Sequence, residues 1–268
     1  MNTILTVTIA GAAGRMGKRL VALVSESSRL RLSGAIEAPG HPALGRDAGE
    51  VAGCGRLDVA LTDDPANAIA GSHVVIDFTS PAAALNHLEH AVQCRCPIVI
   101  GTTGLSPDDM TRLRASARSI PCVHAPNMSV GVNVLLQIIG NVAQALGDDY
   151  DLEIIDTHHN NKKDAPSGTA LKLAEVLAAA TNRDLRDAGV YARHGIIGER
   201  TKQEIGMQSV RAGDIVGDHT ILYGGPGERI EITHRAHNRD PFARGALRAA
   251  EWAVTQPPGL YGMADVLA

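Results

Sequence analysis

The chain has 268 residues, 44% hydrophobic and 20% charged, with a formal net charge of -4 at pH 7. That composition suits a globular protein with a sizeable core and argues against wholesale disorder. The acidic balance argues against a protein that gathers nucleic acid or anionic membrane by bulk charge, and two Phe, four Tyr and one Trp leave few platforms for stacking bases. The opening stretch "MNTILTVTIAGAAGRMG" lacks the basic and apolar regions of a secretory signal, and no run approaches the roughly 18 apolar residues of a membrane span, so a cytoplasmic protein is expected. Cys54, Cys94, Cys96 and Cys122 show no zinc spacing and are expected to be reduced.

In chain order, short apolar runs alternate with helical stretches: "LTVTIAG" from Leu5, "RLSGAIE" from Arg31, "HVVIDF" from His73, "PIVIGTTG" from Pro97 and "PCVHAPN" from Pro121. Segments such as "RMGKRLVALVSES" and "PAAALNHLEHAVQ" carry helical spacing between them. Parallel strands need such crossovers, so residues 1–127 predict a Rossmann-like doubly wound parallel sheet. "VAGCGRLDVALTDDPANAIAG" reads as a surface excursion with a further short strand, its "DD" marking a helix start. A helix over about Gly131 to Gly147 follows, and then longer alternating runs, "YDLEIIDTH", "TKQEIGMQSVR", "DHTILYGG" and "ERIEITHRAH". These predict a second α+β domain, 128–240, with a mixed, largely antiparallel sheet, the last three runs forming a meander across "AGD" and "GGPGE". The final helix, "PFARGALRAAEWAVTQ", is expected to return to the first domain, completing it with 241–268, and "TQPPGLYGM" to end that helix.

"GAAGRMG" follows the first strand and opens a helix, where backbone N–H groups can face a pyrophosphate. Ala13 stands where the commoner fingerprint has its second glycine. Glu37, at the end of the second strand, supplies the acid that accepts hydrogen bonds from ribose hydroxyls. "GTTG" and "APNM" end later strands and read equally as plain turns or cofactor contacts.

The stretch "HHNNKKDAPSGTA", His158 to Ala170, is the other concentration of chemistry. Adjacent histidines on a strand point to opposite faces, which disfavours a chelating pair, so no metal is expected. Ser167 has neither a nucleophile elbow nor a lysine at the short S-x-x-K spacing. Two readings stay open on the residues alone: a solvated loop with a helix cap at Ser167, or a carboxylate receptor made from the helix N-terminus, a lysine ammonium and nearby imidazoles. His219, His234, Arg235 and His237, on or after the later strands, are further candidates to line the cleft.

Beyond these physical signals, "GAAGRMG", "VVIDFTSP", "VIGTTG", "APNMSVGVNV", "EIIDTHHNNKKDAPSGTA", "GER", "IGMQSVRAGDIVGDHT" and "ERIEITHRA" resemble, in order and spacing, the 4-hydroxy-tetrahydrodipicolinate reductase (dihydrodipicolinate reductase) family. The resemblance runs nearly end to end. It implies an NADH- or NADPH-dependent oxidoreductase of the diaminopimelate route to lysine, acting on a cyclic dicarboxylate, and a homotetramer built through the second domain. It implies His158 and Lys162 as the proton-transfer pair, His159, Gly168 and Thr169 as substrate contacts, and Lys163 as a solvated side chain. For the cofactor it implies Gly11, Ala12, Ala13, Gly14, Arg15, Met16, Glu37, Gly101, Thr102, Thr103, Ala125, Pro126, Asn127 and Met128. Ala38 stands where members that use NADPH readily can carry an arginine for the 2′-phosphate, so NADH is expected to serve at least as well. Two rivals are a related dehydrogenase acting on an aspartate-derived or sugar substrate, and a non-catalytic dinucleotide sensor.

Overall fold

Leu5–Ala10 alternates apolar residues with threonines whose hydroxyls bond to the His73 ring and the Ala68 carbonyl, and it forms an interior strand of the sheet, β1. The computed structural model describes residues 4–268; the first three, part of the N-terminal stretch read for a leader, lie outside the described residues. Contacts divide the chain into one unit that runs to Val130 and resumes at Arg239–Ala268, and a second unit, Gly131–Asn238.

In the first unit β1 is followed by α1 (Arg15–Ser25), β2 (Leu30–Ile36), α2 (Ala48–Ala52), β3 (Leu61–Thr62), α3 (Pro65–Ile69), β4 (Val74–Asp77), α4 (Pro81–Gln93), β5 (Ile98–Ile100), α5 (Pro107–Ser116) and β6 (Pro121–His124). All these strands pair in parallel, in the order β3-β2-β1-β4-β5-β6. The order reverses between β1 and β4, the crevice where open α/β sheets hold ligands. Both faces are covered, which is why the strands read as apolar runs. Val7, Ile9 and Val99 pack with Leu20, Val24 and Ala246 in one layer, while Val75, Ile98 and Ile100 pack with Leu85, Leu88 and Leu113 in the other. Asp64 caps α3 through the amide of Asn67, as the "DD" signal predicts.

The second unit contains α6 (Val130–Leu146), β7 (Asp151–His158), α7 (Gly168–Ala180), α8 (Leu185–Ala188), β8 (Gly189–Val190), β9 (Ile205–Arg211), β10 (Gly217–Gly225) and β11 (Glu228–Ala236). The sheet is mixed, in the order β11-β10-β7-β9-β8. The expected three-strand meander is corrected: β10 and β11 form an antiparallel hairpin, but β7 inserts between β10 and β9 and runs parallel to β9. β7 is the most regularly alternating strand, and a central position lets both its edges pair. Its inner residues Leu152 and Ile154 join Ile205, Met207, Ile221 and Tyr223 beneath Leu135, Ile139, Leu173 and Leu177 of α6 and α7. The buried Tyr223 hydroxyl donates to Ile139 O at 2.8 Å. On the other face Arg193 makes two hydrogen bonds to Glu153, and Arg200 of "GER" joins the same carboxylate, tying residues 193–200 to β7.

The chain then returns to the first unit as α9 (Asp240–Ala253), β12 (Gly259–Tyr261) and α10 (Met263–Leu267). β12 adds a seventh parallel strand beside β6, so the segment expected only to stop a helix also extends the sheet. Gly245 of α9 lies against Met128: a side chain there would meet Met128 O at 1.7 Å. That close approach fixes the segment after β6.

Candidate functional site

The glycine loop turns where β1 ends. Gly11 takes φ +75°, and a β-carbon on it would meet Phe78 O at 3.0 Å and the Thr79 methyl at 3.1 Å. Gly17, one turn into α1, is tighter, since a β-carbon would lie 2.0 Å from Gly11 O. The helix therefore seats directly on the turn, with Gly14 at its N-cap. Glu37 binds the loop itself: Oε1 accepts from the Ala13 amide at 2.8 Å.

A cavity of about 600 Å³ opens beside this loop, lined among others by Gly11, Gly14, Glu37, Ala38, Asp63, Thr79, Asn86 and His87. A second, of about 380 Å³, is lined by Gly14, Arg15, Met16, Phe78, Thr79, Gly101, Thr102, Thr103 and Arg239. Small residues, a helix N-terminus, one ribose-type acid and two arginines together fit a dinucleotide with a pyrophosphate. Of the expected cofactor residues, Ala12, Ala125 and Met128 are buried in the core, and Ala125, Pro126, Asn127 and Met128 line neither cavity. Asn127 instead accepts from the Ser129 amide, shaping the turn after β6.

Sequence reasoning missed the group that organises these loops. Asp77, at the end of β4, is fully buried and accepts from the hydroxyls of Thr79 and Thr102, both at 2.8 Å, and lies 2.6 Å from His87 Nδ1. One carboxylate thus joins the loops after β4 and β5 to helix α4. The signal was an acid ending a "VVI" run, where a fully covered strand has no solvent to offer it.

The second unit's chemistry gathers at one end of its sheet. Strand register puts His234, His219, Asp156 and Ser209 in one lateral row of β11, β10, β7 and β9. His158 and Arg211 are paired one step further along, and the apolar rows lie in the other direction. His158, the last residue of β7, is buried, and His159, just past the strand, is half-buried. Asp156 is fully buried. Its Oδ1 takes a 2.7 Å hydrogen bond from the Ser167 hydroxyl and lies 3.0 Å from His158 Nδ1 and 3.4 Å from His219 Nε2. Its Oδ2 accepts from the Ser167 amide and from Arg211 Nη2, both at 3.0 Å. Burial opposes ionisation, but the contacts from His158, His219 and Ser167 prevail and hold this carboxyl far below the usual range.

Ser167 also caps α7, accepting from the Ala170 amide, so Gly168 and Thr169 are its first residues. A β-carbon on Gly168 would meet nothing within 4 Å. Lys162 Nζ pairs with Asp164 at 2.9 Å and depresses that carboxyl, while Lys163 is exposed. Of the later candidates, His219 belongs to the Asp156 cluster and His234 is its cross-strand neighbour, its imidazole pushed down by burial and by His219. Arg235 and His237 are exposed, with Arg235 3.6 Å from Asp218. The expectation of no metal meets one geometric candidate among the described residues, Asp156 with His158 and His219. Arg211 already holds the same carboxylate.

A doubly wound nucleotide-type unit joined to an α+β unit bearing buried histidines, a lysine and a helix N-terminus defines a pyridine-nucleotide-dependent oxidoreductase of two domains. Family models described as "Dihydrodipicolinate reductase, N-terminus" and "Dihydrodipicolinate reductase, C-terminus" match residues 5–128 and 131–267. The chain belongs to the dihydrodipicolinate reductase family. It is 54% identical over 263 residues to the 4-hydroxy-tetrahydrodipicolinate reductase of Syntrophus aciditrophicus, covering 98% of each chain. It is 54% identical over 261 residues to that of Geobacter sulfurreducens, covering 97% of this chain and 98% of the other. Among solved structures, the dipicolinate-bound dihydrodipicolinate reductase of a Paenisporosarcina species superposes with TM-score 0.77 at 26% identity, over 98% of this chain and 99% of that one. An amine dehydrogenase from Mycobacterium smegmatis shares the fold alone, with TM-score 0.61 at 12% identity, covering 96% of this chain and 94% of that one.

Proposed function

We propose that the chain reduces 4-hydroxy-tetrahydrodipicolinate to tetrahydrodipicolinate in the diaminopimelate route to lysine. The observation that carries this reading is the element from His158 to Thr169. It brings a buried imidazole, an ammonium and a helix N-terminus into one short stretch of a chain 54% identical to named reductases. The cofactor, when bound, supplies hydride. Gly11, Ala12, Ala13, Gly14, Arg15, Met16, Glu37, Gly101, Thr102 and Thr103 would hold it, while Ala125, Pro126, Asn127 and Met128, which line neither cavity, would act by shaping the turn after β6.

His158 passes a proton and Lys162 serves as second donor, leaving Asp164 to engage the substrate. An ammonium beside a developing charge stabilises the transition state more than the ground state. His159, Gly168 and Thr169 hold the carboxylates, which suits the planar dicarboxylate in the solved relative's name. NADH serves at least as well as NADPH. Glu37 and Asp63 line the larger cavity with no Lys or Arg among the described residues there, so a 2′-phosphate would face carboxylates, with Arg15 of the second cavity a nearby cation. Residues 1–127 with 241–268 bind the nucleotide. Residues 128–240 bind substrate and assemble a cytoplasmic homotetramer through the sheet face that α6 and α7 leave open.

The deciding assay couples the protein to the preceding synthase with pyruvate and aspartate semialdehyde and follows NADH or NADPH oxidation. Consumption that depends on fresh condensation product is expected; none with either cofactor would refute the assignment.

A further inference from the structure

The row of polar residues in the second unit raises a question that the proton-transfer pair does not answer. Burying a carboxylate among strands is costly, and an apolar residue at the same place would be cheaper for stability alone. Asp156 is nevertheless fully buried and central, with Ser167, Arg211, His158 and His219 all within 3.4 Å of its oxygens. Arg211 from β9 balances its charge, and Ser167 holds both of its oxygens, so the carboxylate cannot swing. Two imidazoles then share Oδ1, their ring centroids 5.3 Å apart and nearly perpendicular.

We propose that Asp156 is a positioning residue for proton transfer, orienting His158 through Nδ1 and stabilising its protonated ring, with His219 as the second imidazole on the same oxygen. This rests on the reading of His158 as the proton-transfer group. Directing Nδ1 to the carboxylate makes Nε2 the atom that gives or takes the proton, while Asp156 keeps its charge throughout. The geometry of Gly217 agrees. A β-carbon there would stand 3.0 Å from His158 Nε2, so glycine keeps that side of the ring clear. His158 Nδ1 is 3.0 Å from Oδ1 without forming a hydrogen bond in the present ring orientation, and catalytic hydrogen bonds commonly tighten only when substrate is bound. Among the described residues, the charged and titratable groups that the contacts place at the ring are Asp156 on β7, Arg211 on β9 and His219 on β10, with His234 on β11 behind His219.

The test compares wild type with Asp156→Asn in the coupled assay, per folded molecule, across pH and in H2O and D2O. The expected result is a fall in kcat of about 10- to 100-fold with the NADH KM nearly unchanged. The high-pH limb of the kcat profile should move to lower pH, because the charged ring loses its counter-ion, and the solvent isotope effect should grow. A kcat loss equal at every pH with an unchanged isotope effect, or no loss at all, would overturn the proposal. If Asp156→Asn does not fold, nitrogen NMR of the wild-type protein decides: neutral His158 should carry its proton on Nδ1, and a proton on Nε2 refutes the idea. An inactive wild type would count instead against the reductase assignment.

Discussion

Replacing Gly17 by alanine should damage cofactor binding more than stability. The added carbon would lie 2.0 Å from Gly11 O and 2.6 Å from Ala12 Cα, both backbone atoms that no rotamer change can move. A carbon–oxygen contact needs about 3.3 Å, so the first turn of α1 must retreat from the glycine loop by roughly 1 Å. Overpacking of this kind costs about 1–3 kcal/mol, of which about 0.8–1 kcal/mol is returned by alanine's better helix propensity. The net loss should lower Tm by only a few degrees at about 2–4 °C per kcal/mol. Binding has no such compensation. The amides of the loop and the first turn are proposed to face a bound pyrophosphate together, and each charge-assisted hydrogen bond lost would remove about 1.5–3 kcal/mol. One or two losses would weaken NADH by about 10- to 10⁴-fold. Calorimetric titration with NADH and thermal melting measure the two effects separately. An NADH Kd within twofold of wild type, with an unchanged Tm, would refute the claim that α1 and the loop seat on each other through this glycine.

Gly168→Ala makes the opposite case: the site is open, so Tm should hold while the substrate KM rises, if backbone approach at the start of α7 matters. His158→Gln and Lys162→Ala should each lower kcat by about 10²-fold or more while NADH affinity, read by titration, stays nearly intact. Ala38→Arg should improve kcat/KM for NADPH relative to NADH, and an unchanged ratio would count against the proposed role of that position. Burial pushes the thiols of Cys96 and Cys122 up to about 12, so alkylation at mildly alkaline pH should label exposed Cys94 first and reach those two only on unfolding, as peptide mapping would show. Asp156 titrates lower folded than unfolded. Its contribution to stability is therefore fully present above the unfolded carboxyl value of about 3.9 and is lost as pH falls below it, so Asp156→Asn should flatten the acid end of the melting profile.

The first unit was legible because parallel strands covered on both faces leave continuous apolar runs, and the glycine loop and Glu37 stand at fixed places relative to them. β12 escaped because three residues, Gly259–Tyr261, carry too little pattern, and only pairing with β6 makes them a strand. The place of β7 between β9 and β10 escaped for another reason: pairing across more than 50 residues leaves no local trace. In the site, the helix start at Ser167 and the charges of the His158 to Thr169 element could be read, and the proposed anion receptor rests on these. Asp156 could not be read, since Leu152, Ile154, Asp156 and His158 share one face by period alone, and spacing does not say where along that face water ends. Ser167 was legible as a helix cap but not as the clamp on Asp156, which only the fold brings against it.

With the proposed roles of His158 and Asp156, the lateral rows of the second sheet would make catalysis a matter of alignment. A slip of β10 by one residue along β7 would turn His219 to the far face and set Asp218 or Thr220 opposite Asp156. What forbids the slip lies at the other end of the strand, where Ile221 and Tyr223 can be buried under α6 and α7 in one register only. Tyr223 and its hydroxyl therefore act as an index pin for imidazoles they never touch. Sequence drift in that packed end would surface first as lost turnover, before any loss of fold.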